Sequence, residues 1–376
     1  MVQEFTKGGP ALDILKFDKI PENDIKSSHN GPWRITFDTN PDDCNMSCVM
    51  CEEHSEFSPL RKERIIEKRP HRRMDFSIIS NTVIDMVKQG LVEIIPSTMG
   101  EPLLYDNFVK FIELCKNNNI KLNLTTNGTW PKLGPMKWAE LICPVTSDVK
   151  ISWNGALKKT QETIMKGSEF EKRLKDLKKF IAVRDKIAEN FSERCRITLQ
   201  CTFLETNSDE LPGLIKMAAE IGIDRVKGHQ LCVNFPEIAN LDMRRSQGSI
   251  EKWNKVVDRC YLAARAGSKR YGKPIILENF NKLSEDVVGM MPEDWVCPFL
   301  GKEAWVNYRG EFNPCCAPDA ERRKLGYFGN VMDEGGISAI WNGTKYRNLV
   351  ATYKSNDICK KCNMRKPPER KINLNL

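Results

Sequence analysis

Between residue 33 and about residue 235, short β-branched or apolar runs alternate with segments whose apolar residues recur at helical spacing. Runs at 33–39, 91–97, 121–126, 148–153, 196–204 and 225–233 predict strands. One predicted helix starts from an Asp75 N-cap and carries Ile78, Ile79, Val83, Met86 and Val87 up to Gly90. Others carry Phe108, Phe111, Ile112 and Cys115, or Leu211, Leu214, Ile215 and Ala218 before Gly222. Six strand-then-helix units in succession call for a parallel sheet with its helices outside. Right-handed crossovers curl such units into an α/β fold, a partial (β/α)6 TIM-like barrel with functional residues at the C-terminal ends of its strands. Residues 247–266 predict a further helix with Trp253, Val256, Val257, Cys260 and Ala264 on one face. After about Asp286 the pattern breaks into short runs and turns holding most of the remaining cysteines, which predicts a small cysteine-rich α+β domain. The expected division is an N-terminal arm (1–32), the barrel (33–240), a connecting helical segment (241–288) and the C-terminal domain (289–376).

Alternation within the strands sorts polar from packing residues. Lys150, Ser152 and Asn154 share one face, as do Asn123, Thr125 and Asn127, and these stripes are expected to point into the barrel. Thr198, Gln200 and Thr202 oppose Leu199, Cys201 and Phe203, so Cys201 is expected in the core. Cys115, Cys143, Cys195 and Cys260 have no spacing partner and are expected to pack as free thiols. Cys232 shares a face with Gly228, Gln230 and Asn234, which leaves His229 on the opposite face in a structural role.

Composition narrows the class. The 376 residues are 40% hydrophobic and 29% charged, ordinary for a folded soluble chain. No eighteen-residue apolar run is present, and Met1 to Pro10 lacks the apolar core of a secretory signal, so a cytoplasmic protein with no membrane partner is expected. Fourteen cysteines in such a chain point to thiolate ligands or redox chemistry rather than a disulfide framework. The net charge of +8 is partly local, with Arg61, Lys62, Arg64, Lys68, Arg69, Arg72 and Arg73 opposed only by Glu63 and Glu67. This run reads as an exposed basic face or as an anion-binding rim; no RNA-recognition signature accompanies it, and nucleic acid is not expected as a partner.

Two cysteine groups carry candidate chemistry. Cys44, Cys48 and Cys51 stand at CxxxCxxC spacing directly after the first strand. Three thiolates on one loop can hold three irons of a 4Fe-4S cluster and leave the fourth open; with His54 as a fourth ligand they can instead hold zinc. In the second group, a predicted hairpin over 304–313 brings Cys297 and Cys315 together, and Cys359 and Cys362 form a second pair. Four thiolates in two pairs suit structural zinc or a fully ligated iron–sulfur cluster.

The strand ends that follow the first loop are Ser97-Thr98-Met99-Gly100-Glu101-Pro102, Thr125-Thr126-Asn127-Gly128 and Ile151-Ser152-Trp153-Asn154-Gly155. With the cysteine loop, they make residues 33–235 resemble the core of the radical S-adenosylmethionine superfamily. The resemblance implies that Cys44, Cys48 and Cys51 bind a 4Fe-4S cluster whose open iron chelates S-adenosylmethionine, and that reductive cleavage yields a 5′-deoxyadenosyl radical. It implies cofactor contacts from Met50, Gly100, Glu101, Asn127, Ser152 and Asn154. Glu101 would accept the methionyl ammonium, and Met50 would lie beside the adenine. Met99 departs from the family's first glycine, and Asn154 from its commoner Asp.

Cys-x12-Gly-x4-Cys followed by Cys-xx-Cys, with Gly329-Asn330 and Ile340-Trp341-Asn342 between, resembles the SPASM/twitch domain. That likeness implies one auxiliary 4Fe-4S cluster on Cys297, Cys315, Cys359 and Cys362, with Cys316 surplus. The combined architecture resembles enzymes that oxidise or epimerise a small sugar, polyol or aminocyclitol, and also maturases that modify a ribosomal peptide. Because only 32 residues precede the first strand, a small-molecule substrate is expected ahead of a peptide. A non-catalytic, metal-stabilised binding protein is the remaining class. The expected partners are the substrate and a reductant such as flavodoxin or ferredoxin. Cys232 is the candidate hydrogen-donating thiol, while Lys150 and Asp38 are candidates to position substrate or move a proton.

Overall fold

Strand β1 (Arg34–Phe37) buries Ile35 and Phe37 completely on one face and carries Arg34 and Thr36 on the other. The computed structural model describes residues 31–97, 99–190, 194–284, 288, 291–317 and 319–368. All but the end of the expected N-terminal arm, and Thr98 of the second strand end, lie outside them. After β1 come β2 (Ser47–Cys48), α1 (Pro59–Glu67), α2 (Phe76–Val87), β3 (Glu93–Ile95), α3 (Phe108–Asn117), β4 (Lys121–Thr126) and α4 (Gly134–Ile142). The chain continues through β5 (Thr146–Ser152), α5 (Lys158–Ile164), β6 (Met165–Lys166), α6 (Phe170–Ala188), β7 (Arg196–Phe203), α7 (Leu211–Ile221), β8 (Arg225–Gln230), α8 (Gln247–Tyr271) and β9 (Ile276–Glu278). Beyond these lie β10 (Glu303–Val306), β11 (Phe312–Asn313), α9 (Asp319–Lys324), α10 (Gly336–Asn342), α11 (Thr344–Thr352) and α12 (Asp357–Lys361).

One sheet runs in the order β11-β10-β1-β3-β4-β5-β7-β8-β9, parallel throughout except at β11, and it does not close on itself. The six predicted strands form its centre as a partial barrel. The 304–313 hairpin is present, with Val306 opposite Phe312, but its first strand also pairs in parallel with β1. Strand β9 joins the other side from within the segment expected to connect by helix alone. Both are three- or four-residue strands, too short to announce a distant partner in their own pattern.

The outer face of the sheet forms the core. Ile35, Phe37, Ile94, Leu122, Leu124, Val149, Ile197, Leu199 and Val226 are fully buried against the helices. Each such side chain stabilises the fold by about 2 kcal/mol. Helix α2 starts as predicted, with the Asp75 carboxylate accepting from Ser77 N at 2.8 Å, and buries Ile79, Val83 and Met86. It ends at Val87, short of Gly90. In α8, Trp253, Val256, Val257, Cys260 and Ala264 are all buried. Cys115, Cys143, Cys195 and Cys201 are core residues too.

The inner face is polar. At its N-terminal end Arg34 pairs with Glu93 and, at 3.1 Å, with Glu303, while Arg225 pairs with Asp148 and, at 2.5 Å, with Glu278. This ion-paired layer floors the barrel. The C-terminal segment is tied to the sheet at two places, just past β1 and along β8 and β9. Arg322 reaches Asp38 beyond β1, Asn363 Nδ2 donates to Gln230 O at 2.7 Å, and Lys366 pairs with Glu278 at 3.3 Å.

Candidate active site

The cysteine loop is held from three sides. Ser47 and Cys48 pair with Lys166 and Met165 in a two-stranded ribbon, Val49 N donates to Ile164 O at 2.9 Å, and Cys51 N donates to Cys48 O at 3.0 Å. Cys44, Cys48 and Met50 pack against a buried apolar group that includes Met46, Met165, Leu231 and Phe235. Burial pushes the Cys44 thiol up to about 12, and Cys48 and Cys51 also rise; Cys44 and Cys48 are raised further by their neighbours. Thiols so placed give up their protons only to a cation that they ligate. Three sulfurs on one water-poor loop fit a 4Fe-4S cluster that keeps one iron open.

The zinc alternative on this loop finds no fourth ligand in His54. Its Nε2 donates to Pro41 O at 2.8 Å, its Nδ1 faces Arg64 at 3.4 Å, and burial lowers its pKa to about 4. The basic run likewise folds back rather than forming a free rim. Arg64, Arg69 and Arg72 converge on the fully buried carboxylate of Asp42, and Arg64 and Arg72 also reach Glu53. His71 and Arg73 take Asp43. These acids flank the cysteine loop, Asp42 and Asp43 just before Cys44 and Glu53 two residues after Cys51, so the run clamps α1 and the segment after it onto both ends of that loop.

The strand ends are stitched to the same loop. Glu101 N donates to Asp43 O at 2.7 Å and Asn40 Nδ2 donates to Glu101 O at 2.9 Å. Gly100, at φ +79°, passes so close to Asn40 that a Cβ would strike its carbonyl oxygen, so only glycine fits there. The Glu101 carboxylate is buried and already accepts from Thr126 Oγ1 at 2.7 Å, Asn127 N at 2.7 Å and Leu103 N at 3.2 Å. Burial raises its pKa to about 7 against these donors. Its side chain therefore organises the β4 end. Asn127 in turn donates to Asn45 Oδ1 at 2.7 Å and approaches Cys44 Sγ at 3.9 Å.

Arg173, which the sequence analysis did not single out, is the tie between strand ends. Its fully buried guanidinium donates to Asn127 O, to Ser152 O at 2.7 Å and to Ser168 Oγ at 3.0 Å, and stacks over Trp153. Burial lowers its pKa to about 10 while Cys48 and Glu101 pull it back, so its charge sits beside the thiols. The one sequence signal was position: three residues after Phe170 on a helix whose buried face runs on through Leu177 and Phe180. Asn154 is held by Thr202 N, which donates to its Oδ1 at 2.8 Å, and by Gln161, whose Oε1 accepts from Asn154 N and Gly155 N.

In the C-terminal domain Cys297, Cys315, Cys316, Cys359 and Cys362 line one small apolar cavity. Burial pushes Cys315 up to about 12 and Cys359 up to about 11, and the thiols raise one another. Among the described residues, no three Cys, His, Asp or Glu side chains gather closely enough to share a single ion. Four or more thiols and no carboxylate or imidazole in one lining suit a fully ligated iron–sulfur cluster or structural zinc.

The remaining candidates separate. Lys150 lies deep on the inner face, bonded to Asn123 Oδ1, and burial lowers its pKa to about 7. Asp38 spends Oδ2 on Arg322 at 2.9 Å, while its buried Oδ1 meets no donor among the described residues. Cys232 follows β8 and donates to Asn234 Oδ1 at 3.2 Å. Burial raises its pKa to about 11, with Arg244 opposing and Glu52, Cys362 and Glu321 near enough to add to the rise. His229 departs from the face expected of it. Its Nε2 lies 3.4 Å from Thr202 Oγ1 on the inner face, whereas a Cβ on Gly228 would strike Phe203 in the core. The alternation was right and its phase was misassigned: Arg225 and Lys227, two and four residues earlier, mark the inner face.

Residues 41–188 match the radical SAM superfamily, and residues 297–363 match an iron–sulfur cluster-binding domain, SPASM. The chain carries a radical SAM domain followed by a SPASM domain. Solved structures agree in fold. SuiB of Streptococcus suis bound to S-adenosylmethionine is 14% identical, with 89% of this chain and 72% of that one aligned at a TM-score of 0.61. SuiB bound to precursor peptide SuiA aligns over 89% and 71% at 14% identity and a TM-score of 0.60. Native anSMEcpe with bound AdoMet is 17% identical over 88% and 86%, at a TM-score of 0.58. No curated protein sequence matches the chain. A radical SAM domain brings a 4Fe-4S cluster and S-adenosylmethionine, and a SPASM domain brings auxiliary iron–sulfur chemistry. Among the described residues, no helix is long and apolar enough to cross a membrane.

Proposed function

We propose that this radical SAM protein abstracts a hydrogen atom from a small hydroxylated substrate, a sugar, polyol or aminocyclitol, and oxidises or epimerises it. The observation that carries the reading is the polar inner face at the strand ends, Ser152, Thr202 and His229, capped by Asp38 and the C-terminal segment. A substrate rich in hydroxyls matches that lining. In this reading the barrel spans 33–240, the segment 241–288 adds β9, and the cluster domain spans 289–376.

Cys44, Cys48 and Cys51 would hold the cluster, with Met50, Gly100, Asn127, Ser152 and Asn154 around S-adenosylmethionine and Glu101 acting through the residues it fixes. Bound there, the pair supplies a 5′-deoxyadenosyl radical once a reductant such as flavodoxin or ferredoxin delivers an electron. The chain's own groups then decide the outcome. Asp38 Oδ1 can accept a substrate hydroxyl, and Lys150 can take up a proton near neutral pH. Oxidation of an alcohol carbon also sheds an electron, and Cys297, Cys315, Cys359 and Cys362 would hold the single auxiliary cluster that receives it. Epimerisation instead needs a protonated thiol, and Cys232 stays a thiol at neutral pH.

A peptide substrate is the second reading. It is favoured by the shared fold with SuiB, whose structure with precursor peptide SuiA aligns with 89% of this chain. A third class, a metal-stabilised binding protein, would leave the braced cofactor strand ends without a use. The test is anaerobic turnover in deuterated solvent with panels of aminocyclitols, sugars and short peptides, reading 5′-deoxyadenosine and product mass. Substrate-dependent 5′-deoxyadenosine with a small hydroxylated compound is expected, and formation with peptides alone overturns the reading. Solvent deuterium in the product that is lost in Cys232→Ala assigns epimerisation; a product two hydrogens lighter in both proteins assigns oxidation.

A further inference from the structure

The SPASM-type pocket contains one thiol more than a fully ligated cluster uses. After β11, residues 314–317 run through bends rather than extended strand. Neighbouring side chains alternate sides only in a strand. Here Cys315 and Cys316 both enter the cavity lined by Cys297, Cys359 and Cys362. Cys297 and Cys362 act electrostatically on both. Cys316 also differs from the packing thiols Cys115, Cys201 and Cys260, which are at most 1% exposed within the core. Cys316 is only half-buried and faces other sulfurs.

The rest of the lining contains no competing Asp, Glu or His. Phe299, Leu300 and Ile358 make it apolar. Arg365 supplies its one positive charge, held by the carbonyls of Met291, Trp295 and Lys360. We propose that Cys315 and Cys316 are interchangeable ligands, either of which completes the auxiliary cluster's four-thiolate set. Exchange of one thiolate for the other on iron is a proton swap: the arriving thiol loses its proton, the departing thiolate gains one, and no electron moves. The inference rests on the auxiliary-cluster reading given above.

The test reconstitutes wild type, Cys315→Ala, Cys316→Ala and the double variant anaerobically, and measures iron, sulfide and the electron paramagnetic resonance of the reduced proteins. Wild type and both single variants are expected to hold about eight irons, four per cluster, and the double variant about four. The auxiliary signal should shift in Cys315→Ala, because the ligand geometry changes. A single variant that drops to about four irons overturns interchangeability, as does a double variant that keeps about eight. Wild type with only about four irons would instead remove the auxiliary-cluster reading itself. The signal perturbed by S-adenosylmethionine reports an intact barrel in every variant, and the two single variants decide the matter if the double variant loses it.

Discussion

Asp38, one residue past β1, and Arg322 in α9 form an ion pair of 2.9 Å across 284 residues of chain, with both side chains about 5% exposed or less. The pair fastens the SPASM domain to the strand that leads into the Cys44–Cys51 loop. Removing one partner strands a buried charge, which typically costs about 3–5 kcal/mol. Arg322→Ala is therefore expected to destabilise the protein by that order, and Asp38→Asn with Arg322→Met by distinctly less. Anaerobic denaturant unfolding of the double-mutant cycle measures both.

Cys48→Ala should abolish cleavage of S-adenosylmethionine and leave the second cluster in place. The assay is 5′-deoxyadenosine formation under dithionite, alongside iron content. Undiminished cleavage would sink the assignment of Cys44, Cys48 and Cys51.

Cys362→Ala is expected to roughly halve the iron, from about eight to about four per chain, without removing the cluster that responds to S-adenosylmethionine. Loss of zinc in place of iron would show that the C-terminal pocket is a structural zinc site.

Glu101→Gln keeps the size of the side chain but turns one acceptor into a donor that faces Thr126 Oγ1, Asn127 N or Leu103 N. One lost charge-assisted bond with a buried donor left unpaired costs about 2 kcal/mol. A weakening of S-adenosylmethionine binding of about tenfold or more is expected from a loosened β4 end, read by cofactor titration of the reduced cluster signal.

Burial lowers the pKa of His229 from 6.5 to about 4, so the folded protein keeps it neutral over a range in which the unfolded chain protonates it. Its contribution to stability is fully present above about pH 6.5 and is lost as pH falls through 4. His229→Gln should reduce the acid-side slope of stability by a total on the order of 2–3 kcal/mol between those limits. Unfolding midpoints at pH 7, 5.5 and 4.5 test this; equal slopes in both proteins would place His229 in solvent.

The parallel barrel was legible because its strands obey a two-residue period strictly: Leu122 and Leu124 against Asn123 and Thr125, Val149 and Ile151 against Lys150 and Ser152. The cysteine spacings were legible for the same reason, since ligands on one loop are local in sequence. What stayed hidden was tertiary. Arg173 sits among the exposed Lys172, Lys175 and Lys178, and only its place on the face of Phe170, Leu177 and Phe180 marks it, with Arg184, as a cation that turns inward. The basic run over 61–73 looked solvated because the acids that neutralise it, Asp42 and Glu53, stand 11 to 30 positions earlier in the chain. His229 was placed on the wrong side because the phase was counted back from Cys232, after the strand had already ended at Gln230.

Strand β1 takes its second neighbour from β10, and Arg34 lies 269 residues ahead of Glu303, the residue it faces there. During synthesis β1 remains a sheet edge until β10 emerges, so the strand that leads into the Cys44–Cys51 loop lacks its second neighbour over that whole interval. An open edge beside three reactive thiols invites strand-to-strand association and oxidation. A ribosome-stalled chain cut before residue 303 is thus the species most exposed to aggregation and thiol damage, and iron loading belongs after that point.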